Sequence, residues 1–248
     1  MTRWKCTCSY DGTDFTGWQS QPTRDAVQDV LEAGFAKIFK LPVRIHGSGR
    51  TDAGVHALAQ VFHFDADWSH GPEKLSAAIN ALLPPSIRVY KIETADPSFH
   101  ARYSAFKKRY HYRIFFGQAD PFETRYCLSL PFPLDTDAMQ QAGKCLLGQH
   151  DFSAFSAENG ADPEKENPVK DFRLFEINAE GSRLRLTFEA SGFMYKMVRS
   201  LTGALIRVGR GKLSPEAFEQ ILQSRVRTKD VITASPQGLF LEKVDYTN

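Results

Sequence analysis

The chain has 248 residues, of which 42% are apolar and 24% charged, with a net charge of +2. That is the composition of an ordinary soluble protein with a real core. It excludes a membrane helix, because no run approaches the roughly 18 apolar residues one needs. The opening MTRWKCTCSY lacks the apolar stretch of a signal peptide. Four scattered cysteines, Cys6, Cys8, Cys127 and Cys145, exclude a disulfide scaffold, so a cytoplasmic protein is expected. Cys6 and Cys8 share one face of a strand, but no second ligand pair follows them and no metal is expected.

A strand is predicted near residues 3–9, then a helix over about 24–39 whose Val27, Leu31, Phe35 and Ile38 form one buried stripe. Short extended pieces at 43–46 and 58–64 flank a glycine-rich loop. Pro72 suits the first position of a second helix, which runs to Leu83 and stops before Pro84-Pro85. A strand near 87–92 completes a β-α-β-β-α-β order, the split-βαβ arrangement.

The second half repeats that order. A strand covers about 107–116, and a helix over 135–147 ends at Gly148. Strands follow near 170–178 and 183–190, the latter alternating through Leu184, Leu186, Phe188 and Ala190. A helix over 193–208 is followed by a short one opening at Ser214-Pro215, and a final strand lies near 238–245. The polar stretch 157–168 reads as a long surface loop. The pattern predicts an α+β protein of two split-βαβ halves, residues 1–100 and 101–248, joined around 95–105. Their antiparallel-rich sheets are expected to meet at a central cleft, where ligand sites commonly form.

Charge is segregated along the chain. Arg102 to Arg113 contains five Lys/Arg and no acid, as does Lys196 to Lys212, whereas Glu158, Asp162, Glu164 and Glu166 cluster elsewhere. Such segregation on a near-neutral chain suits a basic surface facing a polyanion, although a solvated face gives either cluster alone the same pattern.

Residues 47–56 read GSGRTDAGVH. A dinucleotide fingerprint would need glycine where Asp52 stands, and a phosphate loop would need Lys and Ser/Thr in place of Val55-His56. Both also need a following helix, but QVFHF reads as a strand. Ser48, His56 and Asp52 lack the strand-to-helix elbow of a serine hydrolase, and His56 reads as a packed or hydrogen-bonded loop histidine. An aspartic dyad would need a second such loop, which the other half lacks. Asp52 therefore acts alone. It is either a metal-independent nucleophile or base kept ionised by Arg50, or a carboxylate that stabilises the turn.

In KKRYHYRIFF, Tyr110, Tyr112, Ile114 and Phe116 share one face of a strand, with Arg109, His111 and Arg113 on the other. Aromatics beside cations can stack a base while phosphate is held nearby. A core face backed by a solvated one gives the same alternation. In FMYKMVRSLTGALIRVGRGK, Val198, Leu201, Leu205 and Val208 form a buried stripe. Lys196, Arg199, Gly203 and Arg210 lie on another face with Arg207 at its edge, placing an arginine where it could reach a carboxylate. A plain amphipathic surface helix has the same pattern.

GSGRTDAGVHALAQVFHF resembles the active-site segment of the tRNA pseudouridine synthases of the A type, which act on positions 38 to 40 of the anticodon arm. YDGTDFTGWQSQP with Ala26-Val27-Gln28, FHARYSAFKKRYHYRI, GQHDFSAFSA, FMYKMVRSLTG and ASPQGLFLEKVDY appear in that family's order along nearly the whole chain. The resemblance implies the pseudouridine synthase fold and isomerisation of uridine in tRNA without a cofactor. It also implies a homodimer whose two basic clefts share one tRNA, held at its anticodon stem and loop. Carried over by residue, it makes Asp52 the catalytic nucleophile and Arg50 the arginine associated with the flipped nucleotide. Tyr110 becomes the substrate-contacting tyrosine, and Arg199 the arginine that pairs with the aspartate. Where many relatives have a Pro-x-Arg segment, this chain has Pro168-Val169-Lys170. Lysine cannot reproduce a bidentate fork, so a phosphate contact there is not carried over.

Overall fold

The computed structural model describes residues 1–157 and 167–246; the four acids Glu158, Asp162, Glu164 and Glu166 of the expected surface loop lie outside them. The chain divides into two compact units, Met1–Phe106 with the residues from Phe240 onward, and Lys107–Leu239.

The first unit follows the expected order: β1 (Thr2–Tyr10), α1 (Val27–Phe39), β2 (His46–Gly47), β3 (His56–Ala66), α2 (Pro72–Asn80) and β4 (Ile87–Thr94). Alternation in β1 buries Trp4, Cys6, Cys8 and Tyr10, and antiparallel pairing with β3 sets Trp4 and Cys6 beside Phe64 and Phe62. α1 lays Val27, Leu31 and Phe35 on this face, with the Phe35 and Phe64 rings 4.5 Å apart. Ile38, expected in that stripe, is half-buried near the helix end. Burial pushes both the Cys6 and Cys8 thiols up, so this pair stays protonated inside the core.

Two boundaries differ from expectation for the same physical reason. α1 begins at Val27 rather than near 24, because its first amides are already taken: Val27 N–H donates to Gly17 O at 3.1 Å and Gln28 N–H to Trp18 O at 3.0 Å. The extended piece at 43–46 forms a ladder only at His46–Gly47. Ile45 is bonded by helix side chains instead, its N–H to Glu32 Oε1 at 3.1 Å and its carbonyl by Gln28 Nε2 at 3.2 Å.

The other face of this sheet carries Arg3, Lys5, His63 and Asp65, and residues 96–104 cross it. Arg3 grips Asp65 with two donors at 2.8 and 2.7 Å and also donates to the carbonyls of Pro97 and Phe99. His63 Nδ1 accepts the Ala101 N–H at 3.2 Å, and the Tyr246 hydroxyl donates to Ala101 O at 2.8 Å.

The second unit contains β5 (Ala105–Phe116), β6 (Leu128–Leu130), α3 (Thr136–Gly143), β7 (Gly148–Asp151), β8 (Val169–Glu180), β9 (Arg183–Ala190), α4 (Met197–Gly209) and α5 (Pro215–Ser224). β5, β9, β8 and β7 form an antiparallel series, and β6 runs parallel to β5. The alternation through Leu184, Leu186, Phe188 and Ala190 is buried as expected. β6 and β7, of 3 and 4 residues, escaped the sequence reading because so short a piece has no period. α3 is shorter than expected; it tightens into one 3₁₀ turn over Lys144–Leu146 before Gly148 opens β7. α4 starts at Met197, after Lys196 takes a left-handed conformation. α5 opens as expected, with Ser214 Oγ accepting the Ala217 N–H at 3.1 Å.

The closing strand, Leu239–Tyr246, corrects the exact repeat. Its Phe240 and Leu241 pair in parallel with His56 and Ala57 of β3, so it belongs with the first unit. Among the described residues, no helix is long and apolar enough to cross a membrane.

The face of α4 that carries Arg199, Gly203 and Arg207 is covered by residues 227–234. A Cβ on Gly203 would stand 1.8 Å from Ile232 O, so backbone rests directly on the helix. Arg207 pairs with Asp230 at 2.6 Å, and Arg227 donates to Ser200 Oγ at 3.0 Å and Val231 O at 2.8 Å.

Two predictions follow from this packing. Alanine is the better helix former, but at Gly203 it must displace the covering segment, and overpacking of this kind costs about 1–3 kcal/mol. Gly203→Ala should therefore lower the Tm by about 3 to 10 °C in thermal unfolding; an unchanged Tm would refute the tight contact. His63 is held at about 4, against its ordinary 6.5, by burial and then by the charges of His100, His46 and Arg3, with Asp65 opposing. The unfolded chain takes up this proton first, so the stability contributed is full above 6.5 and lost as pH falls toward 4. Urea midpoints should decline from pH 7 to 5, and His63→Gln, which retains an acceptor but cannot titrate, should flatten the decline.

Candidate active site

Loop 47–56 is fixed by the residues on either side of Asp52. Ser48 N–H donates to Val61 O at 2.7 Å, Ser48 Oγ to Gln60 Oε1 at 2.6 Å, and Gln60 Nε2 to Gly49 O at 2.9 Å. Thr51 shares a 2.8 Å hydroxyl bond with Tyr10, and its carbonyl accepts the Trp18 N–H at 3.0 Å. Tyr10, Ser48, Thr51 and Gln60 are all buried, whereas Asp52 is half-buried.

The amides beyond Asp52 are met by backbone carbonyls. Gly54 N–H donates to Phe15 O at 3.4 Å and Val55 N–H to Asp52 O at 3.1 Å. A carboxylate that stabilised the turn in the usual way would bond the amide two residues on. Here that amide belongs to Gly54 and donates to Phe15 O.

Segment 10–19 braces the loop, and two glycines let it approach. Gly17 has φ +101°, and a Cβ there would stand 2.5 Å from Thr51 O; at Gly12 it would stand 1.9 Å from Val55 O. Arg50 is exposed, and its Nε donates to Gln19 Oε1 at 3.3 Å. Gln19 Nε2 in turn donates to the buried Gln28 at 2.8 Å. His56 is 1% exposed, accepts the Gly12 N–H at 3.0 Å and stacks on Phe240 at 4.6 Å, as expected of a packed histidine.

In the second unit Tyr110, Tyr112 and Ile114 are buried on the core face of β5, with Tyr110 opposite Phe188 and edge-on to Phe193 at 5.1 Å. The reverse face is not simply solvated. Glu189 is buried there between Lys107 and Arg109, each 2.8 Å away. Burial alone would raise its carboxyl, but these two cations outweigh burial and hold it below the usual carboxylate range. His111 is fully buried and accepts a 3.1 Å bond from Arg113 Nε.

Arg199 is tied to Ala234 twice, its Nε donating to the Ala234 carbonyl at 2.7 Å and its own carbonyl accepting the Ala234 N–H at 3.0 Å. The Tyr112 hydroxyl donates to the next carbonyl, Ser235 O, at 2.8 Å. Burial pushes the Tyr112 phenol up to about 12, partly offset by that bond and by the nearby Arg199 charge. Lys170, which stands in place of the arginine of a Pro-x-Arg segment, is buried at the start of β8.

Asp52 and Arg50 thus belong to the first unit and Tyr110 and Arg199 to the second. Sequence reasoning missed the braces, namely Tyr10, Trp18 and Thr51 in the first unit and the 227–235 segment in the second. The spaced glycines of YDGTDFTGW were the readable signal for the first; the second had none, because residues 227–235 show no period.

A family model described as tRNA pseudouridine synthase matches residues 7–104 and 142–247. The chain is 41% identical over 246 residues to the tRNA pseudouridine synthase A of an Exiguobacterium species, covering 99% of this chain and 98% of the relative. It is 41% identical over 248 residues to the one from a Geobacillus species, covering 99% of each. It is 42% identical over 254 residues to that of Akkermansia muciniphila, covering 99% of this chain and 96% of the relative. Agreement of this extent, end to end and across both units, places the chain in the tRNA pseudouridine synthase family.

Proposed function

We propose that this protein isomerises uridine to pseudouridine at positions 38, 39 and 40 in the anticodon stem and loop of tRNA, with Asp52 as nucleophile. The reaction breaks the bond from C1′ to N1, turns the uracil and rejoins it through C5, with a proton lost from C5 and one gained at N1. No electron is gained or lost and no group enters, so the chemistry calls for no redox or group-carrying cofactor. It calls for a nucleophile, a means of holding the base out of its stack, and cations for the backbone. Flipping the nucleotide costs about a few kcal/mol, which binding must offset.

The observation that carries the reading is the division of labour in loop 47–56. Buried hydrogen bonds from Ser48, Thr51 and Gln60 fix the loop on either side of the half-buried Asp52. That supports a chemical role for the Asp52 side chain. Arg50, Tyr110 and Arg199 take the substrate-binding roles that the resemblance assigns. The Nε bond to Ala234 O supports such a role for Arg199, because a guanidinium with one bond already made loses less entropy when it engages a partner. The same resemblance implies a homodimer, and the few scattered cysteines suit a reducing cytoplasm.

Asp52→Asn removes the charge with almost no change of shape. The variant should keep its affinity for tRNA but release no tritium from C5-labelled uridine in tRNA. Wild-type release by the variant would reject Asp52 as nucleophile. Chemical mapping of the product should find pseudouridine at the three anticodon-arm positions. Binding should also weaken with salt along a negative log–log slope, as phosphate contacts require; a flat response would count against a basic RNA surface.

A further inference from the structure

At Tyr103 a hydrogen-bonded turn holds an aromatic ring outward. The ring is 71% exposed, although the backbone one residue pair earlier, at Ala101, is fully buried. The turn is closed by Ser104 N–H donating to His100 O at 2.9 Å and His100 N–H to Ser104 Oγ at 3.0 Å. Two of its three intermediate amides, of Arg102 and Tyr103, point to His100 Nδ1 at 3.1 and 3.3 Å. The turn is then bolted to the sheet through Ala101, bonded to His63 and Tyr246, and through Phe99 O, bonded to Arg3.

The rings above this mount are ordered as well. His63 lies 4.6 Å from His100, and His100 lies 4.3 Å from Tyr103 at a tilt of 32°. The exposed His46 adds a further ring 5.8 Å from His100, and the Arg102 guanidinium stands 5.7 Å from the Tyr103 ring centre. No acid occurs in the sequence from Pro97 to Ala119. A preset aromatic face beside a cation, in an acid-free stretch, suits a base with its phosphate better than it suits a protein surface.

We infer that Tyr103 is a stacking platform for an unpaired nucleobase of bound tRNA, with Arg102 contacting the adjoining phosphate. The inference rests on the proposed tRNA activity and adds to it a contact outside the catalytic loop. Because the turn is held by its backbone and by His100, the ring is positioned before RNA arrives, and stacking needs little further ordering.

The test compares full-length wild type with Tyr103→Ala, Tyr103→Phe and Arg102→Gln for tRNA affinity, turnover and mass by light scattering. Tyr103→Ala should weaken tRNA binding about 10-fold, with the loss in KM rather than kcat. Tyr103→Phe, which keeps the face and loses only the hydroxyl, should bind as wild type does. Arg102→Gln should make the log–log salt slope shallower by about 1. Unaltered affinity of Tyr103→Ala, or an equal loss in Tyr103→Phe, would overturn the platform while leaving the function standing. A change of oligomeric state in Tyr103→Ala would overturn it in favour of a protein contact. Wild type that forms no pseudouridine in the same assay would overturn the proposed function and the platform with it.

Discussion

Thr51 is bonded at both its ends, through its hydroxyl to Tyr10 and through its carbonyl to the Trp18 amide. Those two bonds reach β1 on one side and, through Trp18, the start of α1 on the other, since Trp18 O accepts the Gln28 N–H. Burying these polar groups is tolerable only because they are paired; an unmatched one would cost about 1–3 kcal/mol. The segment from Tyr10 to Trp18 must therefore lie against loop 47–56, and the glycines at 12 and 17 are the residues that allow it. Much else in the first unit is a consequence. α1 starts where Gly17 and Trp18 offer carbonyls, Trp18 fills the core beside Tyr10 and Phe62, and Arg50 meets Gln19.

The second unit solves a comparable problem with a different segment. Five cations between Lys196 and Lys212 gave α4 the look of a solvated basic helix, yet residues 227–235 cover much of that face. Arg207 is neutralised by Asp230, and Arg199 is committed through its Nε to a carbonyl rather than to bulk water. Lys107 and Arg109 are likewise held by Glu189. Counting Lys and Arg along the sequence therefore overstates the mobile positive charge. What these pairs provide is fixed direction, because a guanidinium or ammonium with one bond made has few orientations left for the next.

Local pattern carried much of the fold. Alternation in β1, β5 and β9 and the apolar stripes of α1 and α4 have periods of 2 and 3.6, and they fall where residues are buried in the structure. The failures share one cause, which is that a hydrogen bond to something distant in sequence leaves no local period. Val27 caps on Gly17, Ile45 is bonded by Gln28 and Glu32, and the closing strand pairs in parallel with a strand 184 residues earlier, as Phe240 meets His56. Asp52, Arg50, Tyr110 and Arg199 were singled out by resemblance, whereas from spacing alone Asp52 was an open choice between turn and chemistry. The supporting shell was legible in neither way, since Thr51, Ser48 and Gln60 matter through partners that only the folded chain supplies.

Loop 47–56 and turn 100–104 share one design. In each, backbone groups and small or buried polar side chains close the turn. A side chain that also held the turn would have to break those bonds to engage a ligand, at a cost of about 1 kcal/mol or more for each. Beside Asp52 the Gly54 N–H meets Phe15 O, and the Tyr103 N–H meets His100 Nδ1, so both turns are closed through their backbones. The backbone of each turn is set during folding, when burial of the surrounding core can offset the entropy, rather than during binding, when nothing else would. A protein that must select a nucleotide from an ordered RNA stack gains most from this timing, since unstacking already consumes part of the binding free energy.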